Sequence, residues 1–324
     1  MNELLERRYR NVLWLLPRSY RAEREEEMVA AFMEFSGDVP DEENPRPRWG
    51  EIASVLALSM RVRFGGAGAM PRYVAWGAAA RLVALLGLGF HAAVGTFTLA
   101  ILFPQRPDLA TPPLTVITAA LWVTAFVLLM RGRTPMAKPV ALAAGAVALA
   151  ELVVRLDLAD PFAPLNAAPQ ALNVVVPLAA LLAGFHDDVP PVRRRWRAIG
   201  LAPAAGLLLR IAIPLLLESA LWQSPMLWVW VEPTGLATVV LVVAGVICLA
   251  RRLSAHVPLA LAILGTLALL SRLPLVAIND VSSRPESIWV SSMGQCLALV
   301  VMVTVLAVAG FRGLPSVRQG RAVV

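Results

Sequence analysis

Charged residues are scarce in this chain, and their scarcity sets the first limits on its class. Only 16% of the 324 residues are Asp, Glu, Lys or Arg, whereas 58% are hydrophobic. A soluble globular domain has about 25% charged and about 45–50% apolar residues. The composition therefore excludes a disordered chain and an ordinary soluble enzyme. It favours a membrane protein, in agreement with the mean hydropathy of +0.68.

Cysteine, histidine and long apolar runs near the N-terminus are also scarce. The two cysteines, Cys248 and Cys296, both lie within apolar segments, which excludes a disulfide scaffold. The first 70 residues contain one early apolar run, at 12–16, which is too short for a cleavable signal peptide. We find no catalytic, nucleotide-binding or metal-binding pattern. We therefore expect no enzymatic activity, no cofactor and no metal.

Long apolar runs dominate the rest of the chain. A bilayer-spanning helix takes about 20 residues, and the runs predict an all-α polytopic membrane protein with about eight transmembrane helices between residues 82 and 311. The fourth run contains Pro177 and the seventh contains Pro274. Because proline disturbs a helix, each of these two runs either crosses the membrane or enters it only partly. The eight predicted segments are 82–103, 114–130, 139–156, 169–185, 198–217, 228–250, 257–276 and 289–311.

Residues 1–66 predict a small cytoplasmic module of three helices ahead of the membrane domain. In the first helix, apolar residues from Leu5 to Leu16 recur at helical spacing, and a second helix runs over 20–35. A third helix begins at about Trp49, and one of its faces carries Trp49, Ile52, Leu56 and Met60. Residues 67–81 predict a hinge and an interfacial segment, and residues 312–324 a cytoplasmic tail.

Positive charge predicts the orientation of the chain. With the N-terminus inside and eight crossings, 23 of the 29 basic residues lie on the cytoplasmic side and only four lie outside. Cytoplasmic loops carry an excess of Arg and Lys, so both termini are predicted to be cytoplasmic and the protein to lie in the plasma membrane. The basic residues bracket apolar segments, which argues against direct nucleic-acid binding.

Ionisable residues inside the predicted spans are the first candidates for a site, because each costs about 2.5–3.5 kcal/mol on insertion scales. Three glutamates and three arginines lie at similar depth toward the predicted outer side. One hypothesis joins them in a single polar network that binds a small molecule or ion; the alternative is a set of interhelical ion pairs. The candidates are Glu151, Arg155, Arg210, Glu218, Glu232 and Arg272, with Gln170, Asn173 and Gln295 as neutral partners.

Three consecutive acidic residues, Glu25, Glu26 and Glu27, form the other candidate site. They lie on the second predicted helix of the N-terminal module. Such a run is either a solvated helix face or an acidic docking surface for a basic protein partner.

The N-terminal module also resembles a known family. The stretch from Arg7-Arg8-Tyr9-Arg10 to Leu15-Leu16-Pro17, followed by Ser19-Tyr20-Arg21-Ala22-Glu23 and Glu26-Glu27-Met28, is similar to the HAAS-type or permease-prefix modules of actinobacterial membrane proteins. The resemblance covers about 60 residues. Genes of this kind often neighbour PadR-type transcription regulators, which implies a cytoplasmic docking or signalling role.

Together these features predict an integral membrane sensor or regulatory subunit whose cytoplasmic head binds a protein partner such as a transcription regulator. The main alternative is a transporter or a membrane subunit of one, which the intramembrane charges favour. A membrane-embedded enzyme is the third hypothesis. The lipid bilayer is the one partner that the composition itself predicts.

Overall fold

A computed structural model describes residues 3–36, 46–102, 113–156, 162–186, 199–217, 225–277 and 286–315. Regular secondary structure in these residues is entirely helical, which confirms the predicted all-α class. The helices are α1 (Glu3–Leu13), α2 (Arg18–Ser36), α3 (Trp49–Arg63), α4 (Pro71–Leu102), α5 (Pro113–Met130), α6 (Thr134–Val154), α7 (Ala163–Gly184), α8 (Leu201–Leu217), α9 (Pro225–Val231), α10 (Pro233–Ala250), α11 (His256–Ala277) and α12 (Glu286–Arg312).

The described residues divide into two compact units. The first, called the head below, comprises the chain up to Ala78 together with His186, Leu314 and Pro315. It extends past the predicted boundary at residue 66 because the start of α4 packs closely on the turn after α3. A Cβ atom added at Gly77 would lie only 2.0 Å from the carbonyl oxygen of Phe64. The second unit, called the membrane domain, holds the remaining described residues up to Gly313.

The core of the head is built by the apolar positions that the helical spacing selects in α1 and α2. The rings of Tyr9 and Phe32 stack with centroids 3.9 Å apart. The Ser59 hydroxyl of α3 donates to the Leu15 carbonyl at 2.6 Å and ties α3 to the end of α1. The buried core residues are Leu5, Tyr9, Leu13, Leu16, Val29, Phe32 and Val55.

Helix α3 packs with a different face from the one that carries its largest apolar side chains. Its buried residues are Val55, Ser59 and Val62. Trp49 is 85% exposed and Met60 is 49% exposed. Both sides of α3 are therefore apolar, and tertiary packing rather than the sequence pattern selects the side that is buried.

The membrane domain contains helices that fit the predicted spans. Six helices are long and apolar enough to cross a bilayer: α4, α6, α7, α10, α11 and α12. Helices α5 and α8 are apolar but shorter. Each of the eight predicted segments overlaps one of these helices, although α4 begins at Pro71 and not at 82; a count of eight crossings stays a prediction.

One predicted span is interrupted. The segment 228–250 was expected to be continuous, but α9 ends at Val231 and α10 begins at Pro233. Glu232 between them has an extended backbone, with φ −60° and ψ 156°. Proline has no amide hydrogen and disfavours a helical conformation in the residue before it. Pro233 therefore explains the break.

Candidate functional site

The helix break leaves one backbone carbonyl without its intrahelical donor, and side chains of neighbouring helices bind this carbonyl. In a continuous helix the carbonyl of Val229 would accept the amide hydrogen of residue 233, which proline lacks. The Nε2 atom of Gln295 in α12 donates to this oxygen at 3.0 Å, and Nη2 of Arg272 in α11 donates at 3.4 Å. Two polar side chains from different helices thus meet at one free carbonyl.

An ion pair that contains a buried arginine lies beside this carbonyl. The Nη1 atom of Arg272 contacts the Oε1 carboxylate oxygen of Glu232 at the break. The Thr234 hydroxyl also donates to this Glu232 oxygen, at 3.1 Å. The Arg272 side chain is only 1% exposed. A buried charge without a partner is strongly destabilising, so Glu232 is what allows an arginine to remain at this position.

Three buried polar atoms have no hydrogen-bond partner among the described residues: two belong to the side chains that bind the Val229 carbonyl, and the third belongs to Ser292, one turn before Gln295 on α12. They are Nε of Arg272, Oγ of Ser292 and Oε1 of Gln295. Ser292 and Gln295 are 0% exposed. These atoms offer a donor, a hydroxyl and an acceptor, the groups that would bind a small polar molecule or a water. We call Glu232, Arg272, Ser292 and Gln295 the helix-break cluster.

Two other free carbonyls in the membrane domain are bound in the same way. The carbonyl of Asn173 lies four residues before Pro177 and accepts a hydrogen bond from His91 at 3.0 Å. The His91 ring also stacks on Trp122, with centroids 4.4 Å apart. These contacts hold the His91 ring of α4 against α5 and α7.

Arg210 binds the third such carbonyl, in the last turn of α4. Its Nε atom donates to the Ala100 carbonyl at 3.4 Å, and because α4 ends at Leu102 no amide of this helix reaches that oxygen. The described contact is with a carbonyl on another helix.

The other predicted network residues are placed as follows. The Glu151 carboxylate lies 3.9 Å from Arg155 one turn along α6, and Arg155 is 65% exposed. The described contacts thus form two separate ion pairs, Glu151 with Arg155 and Glu232 with Arg272. Glu218 lies outside the described residues.

The three neutral residues that were predicted as partners do not all lie near these ion pairs. Gln295 joins the helix-break cluster. The Asn173 side chain donates to Ser271 at 2.7 Å, and Gln170 donates to the Asn166 carbonyl of its own helix.

The acidic run in the head takes part in ion pairs within the head. Arg10 of α1 contacts Glu26 at 2.8 Å and Glu25 at 3.7 Å. The hydrogen bond from Arg10 lowers the pKa of the Glu26 carboxyl, and the same bond raises the pKa of Arg10. Glu27 is exposed. The acidic surface is therefore partly neutralised from within the head.

Some residues of the helix-break cluster were not predicted as site residues. Ser292 and the carbonyl of Val229 were missed, whereas Glu232, Arg272 and Gln295 were named. The spacing from Pro233 back to Val229 is a sequence signal that identifies the free carbonyl. No sequence signal indicates which side chain reaches it, because Arg272 and Gln295 lie more than 40 residues away along the chain.

Comparison with known proteins gives no assignment. No protein-family model matches the chain, and neither a curated protein nor a solved structure matches it significantly.

Proposed function

We propose that the protein is an integral membrane sensor or regulatory subunit. In this proposal the helix-break cluster receives a small polar ligand, and the head binds a cytoplasmic protein partner. The observation that carries the proposal is the set of three buried polar atoms without partners in the helix-break cluster. A ligand that satisfies them stabilises the arrangement of helices that holds them together.

Two features of the head support the proposed binding of a protein partner. It has its own hydrophobic core and a charged surface on α2. Glu27 and the exposed carboxylate of Glu26 supply negative charge to a basic partner. A partner with basic side chains competes with Arg10 for Glu26, which makes binding dependent on charge.

A photo-crosslinking experiment on the full chain tests this function. A photoreactive amino acid is introduced at Ala30, which is exposed on α2, and the protein is expressed in its native host. We expect a discrete adduct with one protein, and loss of that adduct in the charge-reversal variant Glu26→Arg/Glu27→Arg. Absence of an adduct, or an adduct that survives charge reversal, contradicts docking through the acidic surface.

The sensing half is tested with the same crosslink. Gln295→Leu keeps the side-chain volume but removes the unpartnered oxygen, and we expect it to change the yield of the adduct at equal protein level. Leu297→Ile, at a position 65% exposed on α12, is the matched control. An unchanged yield in Gln295→Leu shows that partner binding does not depend on the helix-break cluster. This result contradicts sensing at the cluster.

A transporter is the second candidate, and the broken helix at Glu232 favours it. Discontinuous helices with buried charges form the substrate sites of many secondary transporters. Uptake of labelled amino acids, sugars and nucleosides into proteoliposomes tests this alternative. Uptake that is lost in Gln295→Leu supports transport through the helix-break cluster, and the absence of uptake favours the sensor.

A further inference from the structure

Helix α3 presents an apolar face that no described residue covers. Trp49, Leu56 and Met60 are 85%, 47% and 49% exposed, and Ile52 lies between them on the same side. At 100° per residue these four positions fall within about 80° of one another. The centre of this face lies about 110° around the helix from Val55 and Val62, which pack into the head. We call these four residues the outer face of α3.

The charged residues around the outer face indicate which kind of partner binds it. Arg46 and Arg48 are exposed just before α3, and Arg61 and Arg63 are exposed in its last turn. Glu51 is the one acidic residue of α3, and its carboxylate already accepts the backbone N–H of Arg48 at 2.6 Å. An apolar face that includes Trp and is flanked by arginine favours contact with the interface of an anionic membrane.

The connection to α4 brings this face close to a bilayer. Only residues 64–70 separate α3 from α4, and seven residues span at most about 25 Å. The turn is tighter than that limit, because Gly66 donates its amide hydrogen to the Arg61 carbonyl at 2.7 Å.

Helix α4 itself extends beyond the hydrocarbon. It has 32 residues, or about 48 Å, against a hydrocarbon thickness of about 30 Å. Its first turns belong to the same compact unit as α3. The end of α3 thus lies seven residues before a helix that is long enough to extend past the hydrocarbon.

We propose that the outer face of α3 binds the surface of the bilayer in which the chain is embedded. Trp49, Leu56 and Met60 enter the boundary between headgroups and acyl chains, and the flanking arginines bind the phosphates of anionic phospholipids. This contact uses α3, whereas the proposed protein partner binds the acidic surface of α2. The head is thereby fixed to the membrane independently of its partner.

Fluorescence of the full chain tests the proposal. Cys248 and Cys296 are replaced by alanine, Leu56→Cys carries an environment-sensitive dye, and the protein is placed in nanodiscs. The lipid is either phosphatidylcholine alone or an equal mixture with phosphatidylglycerol, each with brominated acyl chains. We expect blue-shifted emission and quenching by bromine, both stronger in the anionic mixture. Arg46→Gln/Arg48→Gln reduces the quenching toward its value in phosphatidylcholine.

Ser54→Cys is the matched control. Ser54 is also exposed but lies about 160° around the helix from Leu56, so we expect no bromine quenching there. Equal quenching of both positions by aqueous iodide shows a free face and overturns the proposal. Protection of Leu56→Cys from iodide without bromine quenching also overturns it, since a protein segment or a second copy then covers the face. Bromine quenching that is equal in both lipids refutes the role of anionic lipid.

Discussion

At the scale of single residues, two helix ends show how the same turn tolerates different side chains. Gly132 after α5 and Arg252 after α10 both have positive φ, 75° and 47°. In each turn the next residue donates its amide hydrogen five residues back, Arg133 to Leu128 at 2.9 Å and Leu253 to Cys248 at 3.1 Å. This is the Schellman pattern, in which glycine is the usual residue.

We expect Arg252→Gly to stabilise the membrane domain. A left-handed conformation costs an L-residue roughly 1–2 kcal/mol, and glycine avoids most of that cost. Thermal unfolding in detergent, followed by circular dichroism, measures the change. Arg251→Gly is the control: Arg251 has φ −87°, so glycine there gains nothing and lowers stability. If both variants unfold at lower temperature than the parent, the argument from backbone conformation is wrong.

At the scale of elements, the break between α9 and α10 organises the helices around it. A chain with no proline at 233 would satisfy the Val229 carbonyl within the helix, and Arg272 and Gln295 would lose their common acceptor. Gly235 permits the tight turn, since a Cβ atom there would lie 2.1 Å from the Val229 oxygen. One proline and one glycine thus create a polar centre inside an apolar bundle.

We expect Glu232→Leu to destabilise the membrane domain by about 3–5 kcal/mol, because it leaves Arg272, whose side chain is only 1% exposed, without a counter-charge. The double variant Arg272→Leu/Glu232→Leu recovers most of that loss, since neither charge remains. Unfolding in detergent at increasing denaturant concentration measures both variants.

Glu151→Leu is the matched control, because it removes the partner of an exposed arginine, Arg155. Arg155 is 65% exposed, and an exposed ion pair contributes about 0–1 kcal/mol. Additive losses for Arg272→Leu and Glu232→Leu would show that the two residues are not energetically coupled, contrary to their contact in the structure.

At the scale of the whole molecule, the distribution of arginine predicts how the chain crosses the membrane. The turns between α5 and α6 and between α10 and α11 both carry two arginines. Arginine-rich turns are typical of the cytoplasmic side. With eight crossings, this rule predicts that both turns and the head lie on that side.

Cysteine labelling tests this orientation. In a background without Cys248 and Cys296, we expect an impermeant maleimide to label Glu286→Cys in intact cells but to label Glu27→Cys only after lysis. Both positions are exposed in the structure, so each acts as the accessibility control for the other. Labelling of Glu27→Cys in intact cells would place the head outside and refute the predicted orientation.

The sequence predicts local relations well and distant ones poorly. Glu151 and Arg155 are four residues apart, so helical periodicity alone places them together. Glu232 and Arg272 are 40 residues apart along the chain, and only the packing of α10 against α11 brings them into contact. The same limit explains why the spacing identifies an apolar face of α3 but not whether that face is buried.

Composition and apolar run length by themselves determine that this chain is a helical membrane protein, because a bilayer requires continuous apolar helices whatever their neighbours are. Tertiary structure alone decides which polar groups meet inside it. A carbonyl freed by proline can bind any donor within reach, and the donor is fixed by how the helices pack.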